Sequence, residues 1–133
     1  MAEVVRRTTV TSGTEWERAV GYSRAVRVGG DVRVSGTTAT DENGEVVSED
    51  PYEQAREAFD TVVSALEEAG ASAEDVVRTR MFVTDIDDWE AIGRAHEETF
   101  GHVRPATSMV QVERLIDPAM VVEVEADAVV DDD

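Results

Sequence analysis

Three carboxylates stand at alternate positions near the end of the chain, in the order Glu123, Glu125 and Asp127. Alternation of this kind places all three on one face of a β-strand. Arg78 and Arg80 share a face on another predicted strand, so a ladder of ion pairs is the first interpretation. The second is that one carboxylate works alone as a general base in a cleft. Binding of a hard cation ranks third, because one straight strand cannot surround an ion.

The stretch "RPATSMV", residues 104 to 110, is the second candidate for chemistry. It places Arg104 beside a proline and puts the hydroxyls of Thr107 and Ser108 ahead of an apolar pair. A cation and two hydroxyls suit the lip of a ligand site, whereas the apolar pair indicates the start of a strand. The residues alone leave both interpretations open.

The composition excludes several kinds of catalysis. There is no cysteine, and all 12 basic residues are arginines, so thiol chemistry and a lysine Schiff base are both impossible. His96 and His102 are the only histidines, and Gly101 lies between them. Their spacing does not match a helical metal pair, so no metal site is expected.

The charge balance limits the partners. The chain has 30 acidic and 12 basic residues and a net charge of -18. Such a surface repels itself in dilute buffer, and salt relieves the repulsion as the screening length falls to ~3 Å at about 1 M. Without a basic patch, no nucleic-acid partner is expected. No apolar run approaches a membrane span and the first ten residues lack a signal-peptide core, so we expect no membrane partner and a cytoplasmic location.

The elements that position these groups follow from turns, caps and periodicity. Alternating or β-branched runs predict strands over residues 23–28, 32–38, 76–84, 107–113 and 119–130, with a further first strand over 4–10. The first helix begins at Asp50, where Glu53 completes a capping box, and ends at Gly70; the second begins at Asp85 or Asp87 and ends at Gly101. Trp16 and Trp89 are interpreted as packing anchors.

This order of elements predicts one α+β domain over residues 1–133, in which 1–20 form an N-terminal segment and 131–133 an acidic tail. Two helices, each followed by a strand, must cover one face of a mixed β-sheet. The opposite face carries arginines and glutamates but also valines and a methionine. Part of that face is therefore expected to lie against another subunit of a homo-oligomer.

Five segments in this order resemble one family: "YSRAVRVGGDVRVSG", "DPYEQAREAFDTVVSALEEAGAS", "DVVRTRMFVTDIDDWEAI", "RPATSMVQVERLIDP" and "VVEVEADAVV". They resemble the RidA family, also called YjgF or endoribonuclease L-PSP-like proteins, over roughly residues 21–130. The resemblance implies a chorismate-mutase-like fold and a homotrimer with sites in the clefts between subunits. Typical members hydrolyse reactive enamines and imines to 2-keto acids and ammonia and need no cofactor. The acidic, lysine-free composition resembles that of a divergent haloarchaeal member.

Carried over by position, the resemblance implies a small-molecule site formed by Tyr22, Ser35 and Gly36, with Glu123 directing the water. Typical members have an arginine that clamps the substrate carboxylate at the position of Thr107 in this chain.

A threonine offers one neutral hydrogen bond where an arginine offers a charged bidentate fork, so the substrate is expected to differ. Arg104 and Arg24 are alternative sources of a cation. Thr107 and Ser108 are then expected to contact the ligand.

Two functions of different classes follow. The first is a RidA-like hydrolase with Glu123 as the catalytic carboxylate. The second is a non-catalytic small-molecule binder or regulatory trimer on the same scaffold, which the loss of the arginine favours. Ribonuclease activity is suggested only by the family's older name, and the negative charge argues against it.

Overall fold

The computed structural model describes residues 6–131 and forms one layer of strands covered by helices on one side. The strands are β1 (Arg7–Val10), β2 (Ala25–Val28), β3 (Asp31–Thr37), β4 (Val76–Val83), β5 (Ala106–Gln111) and β6 (Val122–Val129). The helices are α1 (Glu15–Val20), α2 (Pro51–Glu68) and α3 (Trp89–Phe100), with short 3-10 turns at Ala73–Asp75 and Ile86–Asp88.

The six strands form a single sheet in the order β1-β2-β3-β6-β4-β5. Every neighbouring pair is antiparallel except β4 and β5, which are parallel because α3 connects them. The sheet is therefore mixed, and β6, the last strand of the chain, lies in its middle. Because β6 is central, Glu123 and the other alternating carboxylates lie in the middle of the sheet and not at its edges.

One face of the sheet forms the core with α2 and α3. Alternate β6 residues Val122, Val124, Ala126 and Ala128 are buried on that face, together with Phe59 of α2 and Phe100 of α3. The predicted α+β architecture, with a mixed sheet and two long helices on one face, is confirmed. The first predicted strand is present as β1, although its expected beginning at residues 4 and 5 lies outside the described residues.

The β2–β3 hairpin turns through Gly29 and Gly30, as the two glycines predict. Gly29 has a φ of 60°, a left-handed conformation that costs glycine little. Gly30 packs so closely on the end of β6 that a Cβ there would lie 2.4 Å from the carbonyl oxygen of Val130. The hairpin turn therefore packs closely against the backbone of Val130, just after β6.

Two local predictions about the helices were wrong. Asp50 does cap α2 by accepting from the Glu53 backbone N–H, but its own N–H donates to the Ser48 hydroxyl, so Glu53 completes no capping box. The second long helix begins after Asp88, while Asp85 caps the preceding 3-10 turn.

Trp16 and Trp89 do not act as packing anchors within the chain, because 50% and 56% of their surfaces are exposed. The short helix α1, which carries Trp16, was not predicted.

Candidate functional site

Glu123 lies on the sheet face opposite the helices, beside the strand irregularity in β3. The regular pairing of β3 with β6 is interrupted between Val34 and Thr37, and Gly36 lies within this interruption. A Cβ on Gly36 would lie 2.8 Å from Oε2 of Glu123. The Glu123 carboxylate therefore occupies space that is open only because residue 36 has no side chain.

The surroundings of Glu123 stabilise its protonated, neutral form relative to a glutamate in water. Burial raises the pKa of Glu123, the charge of Glu125 raises it further, and Arg24 partly offsets both. A carboxyl group whose pKa is shifted towards neutrality can accept and return a proton more readily in the physiological range. The direction of this pKa shift is the one that would favour proton transfer by Glu123.

A cavity of about 860 Å³ opens beside this carboxylate, and Tyr22, Arg24 and Gly36 line it together with Glu123. A shallower recess next to it is lined by Tyr22, Ser35, Gly36, Glu123 and Glu125. Within one chain, the structure thus brings together the four positions implied by the resemblance, Tyr22, Ser35, Gly36 and Glu123, as well as Arg24. The cavity volume lies in the range of small-molecule sites.

Ser35 is held by the backbone that precedes β2. Its hydroxyl donates to the carbonyl of Ser23 at 2.6 Å, and its N–H donates to the carbonyl of Arg24 at 2.9 Å. Because the hydroxyl proton is already used, Ser35 offers a ligand an acceptor rather than a donor.

Arg24 is mostly buried and lies beside the carboxylate of Glu17. Its Nη1 donates to the Thr37 hydroxyl at 3.2 Å, and its Nε lies 3.9 Å from Oε2 of Glu17. Burial opposes the charged form of Glu17, but hydrogen bonds from Ser12 and Thr14 and the charge of Arg24 outweigh it and lower the pKa of Glu17. Glu17 is therefore the ionised counterion of Arg24.

Glu17 was missed by the sequence analysis although the sequence contains a signal for it. Glu17 accepts hydrogen bonds from the N–H and the hydroxyl of Ser12 and from the Thr14 hydroxyl, while its own N–H donates to Thr14. Threonine followed three residues later by glutamate is the capping-box pattern. Recognising it would have predicted both α1 and the ordered position of Glu17.

The expected ladder of ion pairs is present, and Glu123 is not part of it. Arg80 lies 3.7 Å from Glu125 and 3.4 Å from Asp127, and Arg33 lies 3.7 Å from Asp127. Within residues 6–131, no ion pair joins Glu123 to an arginine, because Phe82 is its partner in β4. The ion-pair interpretation therefore holds for Glu125 and Asp127, whereas Arg78, also expected in the ladder, makes no ion pair among the described residues. That Glu123 acts as a general base stays a prediction.

Thr107, Ser108 and Arg104 lie elsewhere in the chain. Thr107 is on the edge strand β5, and its hydroxyl is 2.6 Å from that of Thr79, which is 2.8 Å from Nε2 of His96. This chain of hydrogen bonds is on the helix side of the sheet, whereas Glu123 is on the other side. A single chain does not bring Thr107 to Glu123.

The other two residues of this stretch are also apart from the cavity. Ser108 pairs with Arg80 across the β4–β5 ladder, two strands from β6. Arg104 is exposed and has a φ of 58°, and its N–H donates to the carbonyl of Phe100. It reverses the chain between α3 and β5, so the "RPATSMV" stretch is structurally both a helix end and a strand start.

Within the described part of the chain, no group of three or more histidine, aspartate or glutamate side chains converges as a metal site would require. No helix among these residues has the length and apolar character to cross a membrane.

Comparison with known proteins gives a consistent result. The model of the family described as Endoribonuclease L-PSP matches residues 13–130. An uncharacterized protein of Streptomyces coelicolor is 44% identical over 127 residues, which are 96% of this chain and 93% of that protein. The 2-iminobutanoate/2-iminopropanoate deaminase of Salmonella typhimurium is 35% identical over 115 residues, covering 84% of this chain and 89% of that enzyme.

The fold has a close counterpart among solved structures. Rv2704 of Mycobacterium tuberculosis, a member of the YjgF/YER057c/UK114 family, superposes with a TM-score of 0.87 at 50% sequence identity. The match covers 94% of this chain and 100% of that one.

Proposed function

The chain belongs to the Endoribonuclease L-PSP family, which is the RidA or YjgF family, and on that premise we propose that it hydrolyses reactive imines and enamines to carbonyl compounds and ammonia. The observation that carries the proposal is Glu123: a half-buried carboxylate on a cavity wall, outside the ion-pair ladder, with a raised pKa. The name of the Salmonella relative supports the reaction class.

The reaction needs one water molecule and no oxidant. The water oxygen bonds to the imine carbon while one water proton passes to Glu123. Glu123 returns this proton to the nitrogen, which gives a carbinolamine. The hydroxyl proton then also passes to the nitrogen, the C=O bond forms as the C–N bond breaks, and C=NH plus water becomes C=O plus ammonia. In this proposal Glu123 transfers the proton, Gly36 leaves room for the carboxylate, and Tyr22 and Ser35 shape the cavity around the substrate.

We further propose that the working particle is a homotrimer. The open face of the sheet supports this, since it leaves Val28 and Val110 exposed. The same face contains the Nε of Arg78, which is buried and has no hydrogen-bond partner among the described residues. In such an assembly, the edge strand β5 of one subunit, which carries Thr107 and Ser108, would approach Glu123 of the next. The measurement is the native mass in high salt, expected at three times 14.5 kDa.

The substrate of this chain is proposed to differ from that of typical members, because Thr107 has no charge with which to hold a carboxylate. The test measures ammonia release in molar potassium chloride from imines generated in situ, with and without a carboxylate. Wild-type protein is compared with Glu123→Gln, which keeps the size of the side chain. The variant is expected to lose the activity, and equal rates in the two proteins would remove Glu123 from the mechanism.

A non-catalytic binder on the same scaffold is the second candidate. The hydroxyl of Thr107 supports it, because that hydroxyl is already hydrogen-bonded to the hydroxyl of Thr79. Retention of a small molecule without any turnover, in both the wild type and Glu123→Gln, would favour this function over hydrolysis.

A further inference from the structure

The cavity beside Glu123 has an apolar wall that the hydrolysis itself does not use. Trp16 of α1 and Ile116 of the loop before β6 both line it, with 50% and 60% of their surfaces exposed, and buried Met120 lies in the same wall. Two separate elements thus contribute large apolar side chains to one cavity. Exposed apolar side chains of this kind are where a ligand gains hydrophobic free energy on binding.

Trp16 is held in a defined position relative to the carboxylate. Its neighbour Glu17 is buried and is anchored by Ser12 and Thr14. Glu17 in turn lies against Arg24, whose Nη1 donates to Thr37, the residue after Gly36. The chain of contacts from α1 to β3 therefore holds the helix that carries Trp16 against the strand whose irregularity makes room for Glu123.

The charges around the cavity disfavour an anionic ligand. Four carboxylate residues line it: Glu15, Asp41, Glu42 and Glu123. Two cations line it as well: Arg18, which also donates to the carbonyl of Gly13 and keeps its charge, and Arg24, which has ionised Glu17 as its counterion. Carboxylates therefore outnumber cations around the cavity, and a substrate carboxylate would meet net repulsion.

We infer that the substrate is an imine that carries a large apolar group, preferably an aromatic ring, and no carboxylate. The ring lies against Trp16 and Ile116, and the C=N bond lies at Glu123. The inference rests on the proposed hydrolysis and deepens it by naming the substrate class. Imines of this class are supplied by the oxidation of primary arylalkyl amines, whereas oxidation of amino acids supplies imines that keep the carboxylate.

Four imines that differ in two features test the substrate class. Oxidation of phenethylamine, ethylamine, phenylalanine and alanine in situ gives imines with or without a phenyl ring and with or without a carboxylate. The phenethylamine product is expected to have a kcat/KM at least about tenfold above each of the others, the usual size of discrimination by an apolar pocket. Equal or greater hydrolysis of the phenylalanine product would overturn the inference.

The two tryptophans provide a matched pair of variants. Trp16 lines the cavity and Trp89 does not, although their exposed fractions are similar at 50% and 56%. Trp16→Ala is expected to lower kcat/KM about tenfold or more for the phenethylamine product and to leave the ethylamine product unchanged. Trp89→Ala is expected to change neither. An equal loss for both substrates in Trp16→Ala would mean a structural role only and would contradict the inference.

Binding without turnover separates this inference from the proposed function. The chain has two tryptophans, so in Trp89→Phe the fluorescence comes from Trp16 alone. Phenylacetamide and phenylacetate have the same shape and differ in charge, and only the neutral amide is expected to change this fluorescence.

Each outcome has one meaning. A response to phenylacetamide with no hydrolysis of any imine would keep the ligand class and reject the hydrolase. Hydrolysis with no preference among the four imines would keep the proposed hydrolase and reject the inferred substrate class. No response to phenylacetamide, with Trp16 shielded from an added quencher, would assign the apolar wall to a contact between copies of the chain and overturn the inference.

Discussion

Two glutamates on the same strand face show how strongly the surroundings of a residue decide its role. Glu125 lies 3.7 Å from Arg80 and is part of the ion-pair ladder. Glu123, two residues earlier, lies against Phe82 and the bare backbone of Gly36, where burial raises its pKa. Alternation along the strand predicted that the two glutamates would share a face. Their different roles come from the residues opposite them on the neighbouring strands.

The first prediction concerns the pH dependence of hydrolysis. Glu123 must be deprotonated to accept a proton, and its pKa is raised above 4.5, so activity falls as the pH drops through that raised value. The acid limb of kcat/KM is therefore expected at a higher pH than for an ordinary glutamate. Since the charge of Glu125 helps to raise this pKa, Glu125→Gln is expected to move the limb to lower pH. An unmoved limb in that variant would show that another group controls it.

The second prediction concerns the counterion of Arg24. Glu17→Gln keeps the hydrogen bonds with Ser12 and Thr14 possible but removes the charge that neutralises Arg24. We expect kcat/KM for imines with a carboxylate to rise about fivefold, which corresponds to ~1 kcal/mol between unit charges about 4 Å apart in water-like surroundings.

Glu15→Gln is the control for this prediction, because it removes the same charge from the same helix but leaves the pair of Glu17 and Arg24 intact. Equal gains in the two variants would mean that only the total charge of the cavity matters.

At the scale of elements, Thr79 joins three of them. It is fully buried on β4, and its hydroxyl contacts His96 of α3 and Thr107 of β5. His96 packs between the rings of Phe59 and Phe100, and burial lowers its pKa, so it is neutral at pH 7 and has one ring nitrogen free to accept. The edge strand is therefore tied to the core by a polar contact as well as by its backbone ladder.

The third prediction follows from this junction. Thr79→Val keeps the shape of the side chain but leaves His96 and Thr107 without their shared partner. The free energy of unfolding is expected to fall by about 1–3 kcal/mol, measured by urea denaturation in high salt. Thr99→Val is the matched control, since among residues 6–131 the Thr99 hydroxyl donates only to the carbonyl of Ala95 in its own helix. Similar losses in the two variants would show that the junction contributes nothing specific.

The elements with long, regular patterns were the ones that the sequence predicted well. The apolar stripe of α2 and the alternation of β6 each extend over many residues, so local exceptions do not hide them. Helix α1 has six residues, too few to show a period. Its only local signal is the capping pattern of Thr14 and Glu17, and its position also depends on the contact between Glu17 and Arg24.

The candidate site was predicted only in part, for a related reason. The family resemblance identified Tyr22, Ser35, Gly36 and Glu123, and these do meet at one cavity. The apolar wall with Trp16 and Ile116 was not predicted, because neither residue belongs to an element that a sequence pattern indicated. Which side of the sheet Thr107 occupies depended on its register with Thr79 in β4, which the sequence does not show.

At the scale of the whole molecule, the net charge of -18 on 133 residues is the dominant feature. The fourth prediction is that potassium chloride stabilises the fold by screening this repulsion, whose range falls to ~3 Å at about 1 M. The Tm is expected to rise by several degrees between low and molar salt, because about 1 kcal/mol corresponds to roughly 3–6 °C in a chain of this size. Sucrose, which carries no charge, separates screening from general preferential exclusion, and an equal Tm at both salt concentrations would refute the prediction.

The close approach of Gly36 to Glu123 has a consequence for engineering this cavity. The carboxylate lies where a β-carbon on residue 36 would have to be, so the two positions cannot be varied independently. In a library that randomises both, clones that keep an acid at position 123 in its present orientation should return glycine at 36. A larger residue at 36 should appear only together with a shortened side chain at 123, which makes the pair a single unit of selection.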